Sequence, residues 1–136
     1  MTETERPPDA EPALRTLAMP ADANPNGDIF GGWVLAQMDL AGGVAAARCA
    51  RGRTVTVAVE AMRFHAPIAV GDLVTCYAEV VKTGRTSITV DIETWARRRR
   101  GPVEVRVTEG TFIYVAIDDN GRPRPLPDQA PEDADG

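Results

Sequence analysis

Two hydrophobic periods divide this chain. From Trp33 to Ala47 every side chain is apolar or glycine except Gln37 and Asp39, and only Arg48 interrupts the continuation to Ala50. Beyond Gly52 the period falls to two: Val55, Val57 and Val59 lie on one face and Thr54, Thr56 and Glu60 on the other, and Ile88, Val90 and Ile92 repeat the alternation. The first pattern predicts a helix that starts near Gly31 or Gly32 and ends by Gly52, apolar on nearly all sides and so buried. The second predicts strands over residues 53–64, 73–81, 86–96 and about 103–117.

A short alternating stretch, residues 14–19, and a turn-rich segment, 20–28, precede the helix. Pro67 to Asp72 reads as a break, Lys82-Thr83-Gly84-Arg85 as a hairpin turn, and Arg97 to Pro102 as a basic turn. The order is one short strand, one helix and four long strands in a meander, an α+β layout. Candidate strands of 9 to 15 residues exceed the usual five or six. A long antiparallel sheet with one helix must therefore curl around it, leaving the helix's other side for a second partner. Residues 1–13 and 123–136 are rich in proline and acid and read as mobile tails around one domain over 14–122.

Composition narrows the class. The length of 136 residues suits a single core. No long uninterrupted apolar run supports a membrane span, and the first 13 residues hold no hydrophobic signal core, so a cytoplasmic location is expected. Cys49 and Cys76 read as buried thiols in that compartment rather than as a disulfide. His65 is the only histidine, which removes paired-histidine metal sites, and no metal is expected. The charge of −5 is uneven: one base and eight acids fall in residues 1–13 and 128–136, leaving 14 bases and 12 acids between them. A mildly basic body suits a small anionic ligand better than duplex nucleic acid.

Asp39 stands in the middle of the apolar helix, where a carboxylate must be hydrogen-bonded, shifted in pKa or facing a cavity. The residues stacked with it, Gly32, Leu35, Ala36, Gly42, Gly43 and Ala46, are mostly small. Two mid-helix glycines cost roughly 2 kcal/mol against alanine. Something must come close to the backbone beside the acid: a helix, a strand or a ligand.

The series Leu14-Arg15-Thr16-Leu17-Ala18-Met19-Pro20, Asn24-Pro25-Asn26-Gly27-Asp28-Ile29-Phe30-Gly31-Gly32-Trp33, Gln37-Met38-Asp39, Val55 to Glu60 and Val70-Gly71-Asp72 closely resembles the YciA type of hot-dog-fold acyl-CoA thioesterase. Gly84-Arg85-Thr86-Ser87 and Asp119-Asn120-Gly121-Arg122 extend the likeness, which covers roughly residues 14 to 126 in order. The resemblance implies a curved antiparallel sheet wrapped round a central helix, two subunits joined into one continuous sheet, and three such dimers in a hexamer. It implies hydrolysis of acyl-CoA to a free acid and CoA, with CoA part of the substrate and no separate cofactor. Asp39 would be the catalytic carboxylate, and Asn24 a functional position. Arg63-Phe64-His65-Ala66 departs from the pattern, which bears on substrate preference rather than on the chemistry.

Thioester hydrolysis needs a base or nucleophile and a stabiliser for the developing oxyanion. Asp39 suits either of the first two roles. The Gly31-Gly32 start of the helix offers unpaired amides and the positive end of the dipole, and Asn24 could hold the carbonyl or the attacking water. Gly32 and Asp39 are nearly two turns apart, roughly 10 Å along the axis, too far to share one reacting centre. Asp39 of one subunit is therefore expected to work with Asn24, Gly31 and Gly32 of another. Gly84, Arg85, Thr86 and Ser87 are the candidate CoA phosphate contacts.

Other readings compete. Asp39 could be a structural acid and Gly31-Gly32 only a close-packing device. Arg97 to Arg100 reads as a solvated turn and His65 as a satisfied surface or interface histidine. Trp33, Met38 and Trp95 read as packing, and Glu60 as either solvated or near a dimer seam. The rival functions are an acyl-thioester hydratase or dehydratase, disfavoured because His65 follows the second strand rather than preceding the helix, and a non-catalytic acyl-CoA-binding module.

Overall fold

The computed structural model describes residues 6–99 and 101–128; the remainder of the two expected tails, and Arg100, lie outside the described residues. The expected helix forms as α1 (Gly31–Ala50), after β1 (Leu14–Leu17) and a 3-10 turn at Pro20–Asp22. Four long strands follow: β2 (Thr54–Phe64), β3 (Leu73–Thr83), β4 (Ser87–Arg97) and β5 (Glu104–Ala116). β3 runs two residues into the expected turn, so the turn proper is Gly84 to Thr86.

The strands do not form the expected simple meander. Their order in the antiparallel sheet is β1-β3-β4-β5-β2. Connections of three and six residues make β3, β4 and β5 neighbours, but β2 pairs with the far side of β5. The reason lies in residues 65–72. Backbone groups in a connection need partners, and here several find them on the pre-helix segment: Ile29 N donates to Ile68 O (2.8 Å) and Gly71 N to Ala18 O (2.8 Å). The chain is thus drawn across to the β1 side of the sheet instead of folding back on β2.

The helix packs on all five strands through Val34, Met38, Ala41, Gly42, Ala46 and Ala50, a spacing of three or four that makes one stripe. Facing it are Ile88, Val90, Ile92, Phe112 and Tyr114, with the last two rings stacked at 6.4 Å. Met38 and Trp95 are buried as expected and Trp33 is half-buried. Within one chain the sheet covers one side of the helix and leaves the other for the expected second partner. Leu40 and Val44 are 59% and 49% exposed, and the valines of β2, at 41%, 54% and 45% for Val55, Val57 and Val59, also stand open.

The helix ends on Arg51 in the left-handed region (φ 54°), not on the glycine that follows. Gly52 serves a different need: a Cβ there would crowd the Arg124 guanidinium, which donates to Ala50 O (2.9 Å) and Ile117 O (3.1 Å). Arg124 N also donates to Ala116 O, and Leu126 N to Arg85 O, both at 2.9 Å. The segment from Pro123 to Leu126, assigned by composition to the C-terminal tail, is therefore tied to the body at these points, and Ala13 is likewise bonded to Cys76 O (2.9 Å). Composition registers the prolines but not the carbonyls these groups reach. Cys49 and Cys76 are not joined in a disulfide; Cys76 is buried as expected, which pushes its pKa up to about 11, whereas Cys49 is only partly buried. No helix among the described residues is long and apolar enough to cross a membrane.

Candidate active site

Asp39 follows a fully buried methionine and precedes an exposed leucine. One residue turns a helix by about 100°, so the carboxylate lies at the margin of the buried face. It is half-buried, not enclosed as the apolar run suggested. Two side chains hold it. Thr56 Oγ1 on β2 donates to Asp39 Oδ1 (2.7 Å), and the Tyr114 hydroxyl on β5 donates to the same oxygen (3.0 Å) while lying 3.0 Å from the Asp39 carbonyl. Burial pushes the Tyr114 pKa well above its usual 10, and the Asp39 charge adds to the shift. The hydroxyl is thereby kept protonated, a standing donor.

Neither partner was singled out as a site residue from the sequence. Thr56 is one polar residue in an alternating strand, and Tyr114 sits in Phe112-Ile113-Tyr114-Val115 like any core aromatic. One signal was present. Gly42, one of the two mid-helix glycines beside Asp39, has no room for a Cβ because the Tyr114 hydroxyl and the Ile92 side chain occupy the place. The close approach is made by a strand, and Gly43 faces open space.

The pre-helix loop is a second unit. Asn24 Oδ1 accepts from Asn26 N (2.9 Å) and Asp28 N (3.1 Å), and Asn24 N donates to Asp28 O (2.6 Å). The side-chain oxygen thus folds the loop, as asparagine does in Asx turns, while its amide nitrogen makes no hydrogen bond among the described residues. The loop delivers the chain into α1 at Gly31 and Gly32, both exposed. Phe30, the residue before the helix, offers no side-chain cap. Its carbonyl takes the amides of Trp33 (3.0 Å) and Val34 (3.3 Å), so the amides of Gly31 and Gly32 have no partner among the described residues. A Cβ on Gly31 would come within 3.6 Å of the Phe64 ring, and one on Gly32 would meet nothing.

Within one chain these two units stay apart: Asp39 joins Thr56 and Tyr114, while Asn24, Gly31 and Gly32 gather at the helix start. The Gly84 to Ser87 turn is a third unit, closed by Gly84 N to Ser87 O (2.8 Å) and stitched to the body through Thr86 O and Arg85 O. Arg85 is exposed there.

The basic turn departs from the solvated reading at Arg98. That guanidinium bonds the buried carboxylate of Asp72 (2.5 Å) and the carbonyl of Pro67 (3.1 Å), and so pins the connection that leads away from β2. His65 bonds Glu109 (2.7 Å), as expected of a satisfied histidine; that hydrogen bond, more than the nearby arginines, holds the Glu109 pKa below its usual value. No group of three or more His, Cys, Asp or Glu side chains suited to a metal ion occurs among the described residues.

Known proteins place this architecture. The model of the thioesterase superfamily matches residues 26–103. The acyl-CoA thioester hydrolase YciA of Salmonella typhimurium is 54% identical over 132 residues, covering 95% of this chain and 99% of its own. A hexameric thioesterase from Yersinia pestis superposes with a TM-score of 0.85 at 55% identity, over 90% of this chain and 99% of the other. A hexameric broad-specificity acyl-coenzyme A thioesterase does so with a TM-score of 0.87 at 45% identity, over 98% and 92%. A helix wrapped by a five-stranded antiparallel sheet, with likeness of this extent, makes the chain a member of the hot-dog thioesterase superfamily and, within it, of the YciA-type acyl-CoA thioester hydrolases.

Proposed function

We propose that this chain hydrolyses acyl-CoA thioesters to the free carboxylic acid and CoA, at a site completed by a second copy of itself. The observation that carries the reading is Asp39, a half-buried carboxylate held by Thr56 and Tyr114 on a helix whose first two amides have no partner among the described residues. In the reaction Asp39 takes a proton from water, whose oxygen bonds to the thioester carbon. The charge that develops on the carbonyl oxygen is met by the amides of Gly31 and Gly32, with the Asn24 amide as a further donor. The carbon–sulfur bond then breaks, the electron pair leaves on the CoA sulfur, and the proton on Asp39 passes to it. Water and these groups suffice, so no cofactor beyond the substrate's own CoA is called for.

The roughly 10 Å of helix between Gly32 and Asp39 supports a site shared between subunits. The exposed valines on β2, which lies at the edge of the sheet, support pairing of two β2 strands into one continuous sheet, because an apolar strand with unpaired backbone groups seeks another strand. The hexameric relatives support three such dimers. Gly84, Arg85, Thr86 and Ser87 are assigned to the CoA phosphates, for which a guanidinium and two hydroxyls are suitable donors. Two cysteines outside any disulfide fit a cytoplasmic location.

The test is thiol release from a panel of acyl-CoAs by the wild type and by Asp39→Asn. The wild type should release thiol, and the variant should lose on the order of 10²-fold or more in kcat. No release by the wild type would overturn the activity, whether in favour of a hydratase or of a binding module. Undiminished release by the variant would overturn the role of Asp39.

A further inference from the structure

We propose that Tyr114 is a positioning residue for the reaction, reaching through the opening left by Gly42 to fix which oxygen of Asp39 reacts. The inference rests on the reading of Asp39 as the reacting carboxylate. Tyr114 belongs to the core, 2% exposed and stacked on Phe112, and a phenylalanine would fill almost the same volume. What the hydroxyl adds is directed at the acid and its other partner: it lies 3.0 Å from both Asp39 Oδ1 and the Asp39 carbonyl, beside the Thr56 hydroxyl. The reach exists only because position 42 has no side chain, since a Cβ there would collide with the hydroxyl. A mid-helix glycine is otherwise unfavourable, so its presence beside the acid has this contact as its physical reason.

The two donors converge. Thr56 Oγ1 and Tyr114 Oη both bond Oδ1, which fixes the side-chain torsion of Asp39 and commits that oxygen to the protein. Oδ2, with no hydrogen bond among the described residues, is the oxygen left to take the proton from water. Tyr114 cannot itself serve as the base, because burial and the neighbouring carboxylate keep its hydroxyl protonated.

The experiment compares wild type, Tyr114→Phe, Gly42→Ala, the double variant and Asp39→Asn for kcat, KM and thermal stability. Tyr114→Phe should keep the fold, lower kcat about tenfold, the scale of one hydrogen bond to a charged group, and leave KM nearly unchanged. Gly42→Ala should reproduce the loss, and the double variant should be little worse than either single one, since both break the same contact. Tyr114→Phe with wild-type kcat, or with its loss confined to KM, beside an inactive Asp39→Asn, would overturn this inference alone. Full activity in Asp39→Asn would instead overturn the reading it rests on.

Discussion

Asp39 sits where the core ends, between a methionine with no exposed surface and a leucine that is 59% exposed. That placement suits the role of base proposed for it: side chains behind it fix its geometry, and the carboxylate is left partly exposed. Thr56 and Tyr114 supply the first from 17 and 75 residues away along the chain. A carboxylate that accepts a proton, rather than attacking the carbonyl, leaves a distinct isotopic record. In a single turnover with enzyme in excess in ¹⁸O-water, the product acid should carry ¹⁸O from the first molecule formed. Unlabelled acid in that turnover would mean that Asp39 itself attacks and is later hydrolysed. The carboxylate was legible in the sequence as an acid out of place on an apolar helix; its two donors were not, because hydroxyls in alternating strands carry no mark of the distant residue they will meet.

Among the elements, β2 carries the most consequence. It lies at the sheet edge beside β5, with register shifts between Thr56 and Ala58 and between Glu60 and Arg63, so only part of its regular alternation survives as alternate burial. The valines, the strongest apolar row in the strand pattern, face outward, and Thr56 faces the helix. Near its end, Glu109 of β5 pairs with His65 just beyond β2, with Arg106 at 3.9 Å. The lowered Glu109 pKa means that the contact contributes stability above the carboxylate's ordinary value of 4.5 and loses it as pH falls through the lowered one. His65→Gln should therefore lower the melting temperature at about pH 5.5 by on the order of 2 °C, the scale of a partly exposed pair. Calorimetry across pH should show the difference shrinking toward acid; a constant difference would mean that His65 acts by packing instead.

For the whole molecule, the proposed site is divided between copies, and division can be tested by mixing. Asp39→Asn and Asn24→Ala subunits, each impaired alone, should regain activity when co-refolded, because some mixed dimers then hold one site with both functional halves. Activity no higher than that of the parents would place both halves in one subunit. A charge on the exposed valine row acts at the same scale: Val57→Lys should shift the assembly toward smaller species in light scattering and reduce activity with it.

The sequence by itself determined the helix, the long strands and the odd carboxylate. Each is written in local order, as a period of 3.6 or 2 or as a charge against an apolar background. It also carried the motif series by which the family is recognised. Tertiary structure decided the rest. Which edge β2 occupies depends on where residues 65–72 find hydrogen-bond partners. Gly42 is tied to Tyr114, and Arg98 to Asp72, by contacts across 72 and 26 residues of chain. The helix is buried on one face only because one sheet has one concave side. These are facts of juxtaposition, and hydrophobic periodicity records which residues prefer to be buried without recording what they will be buried against.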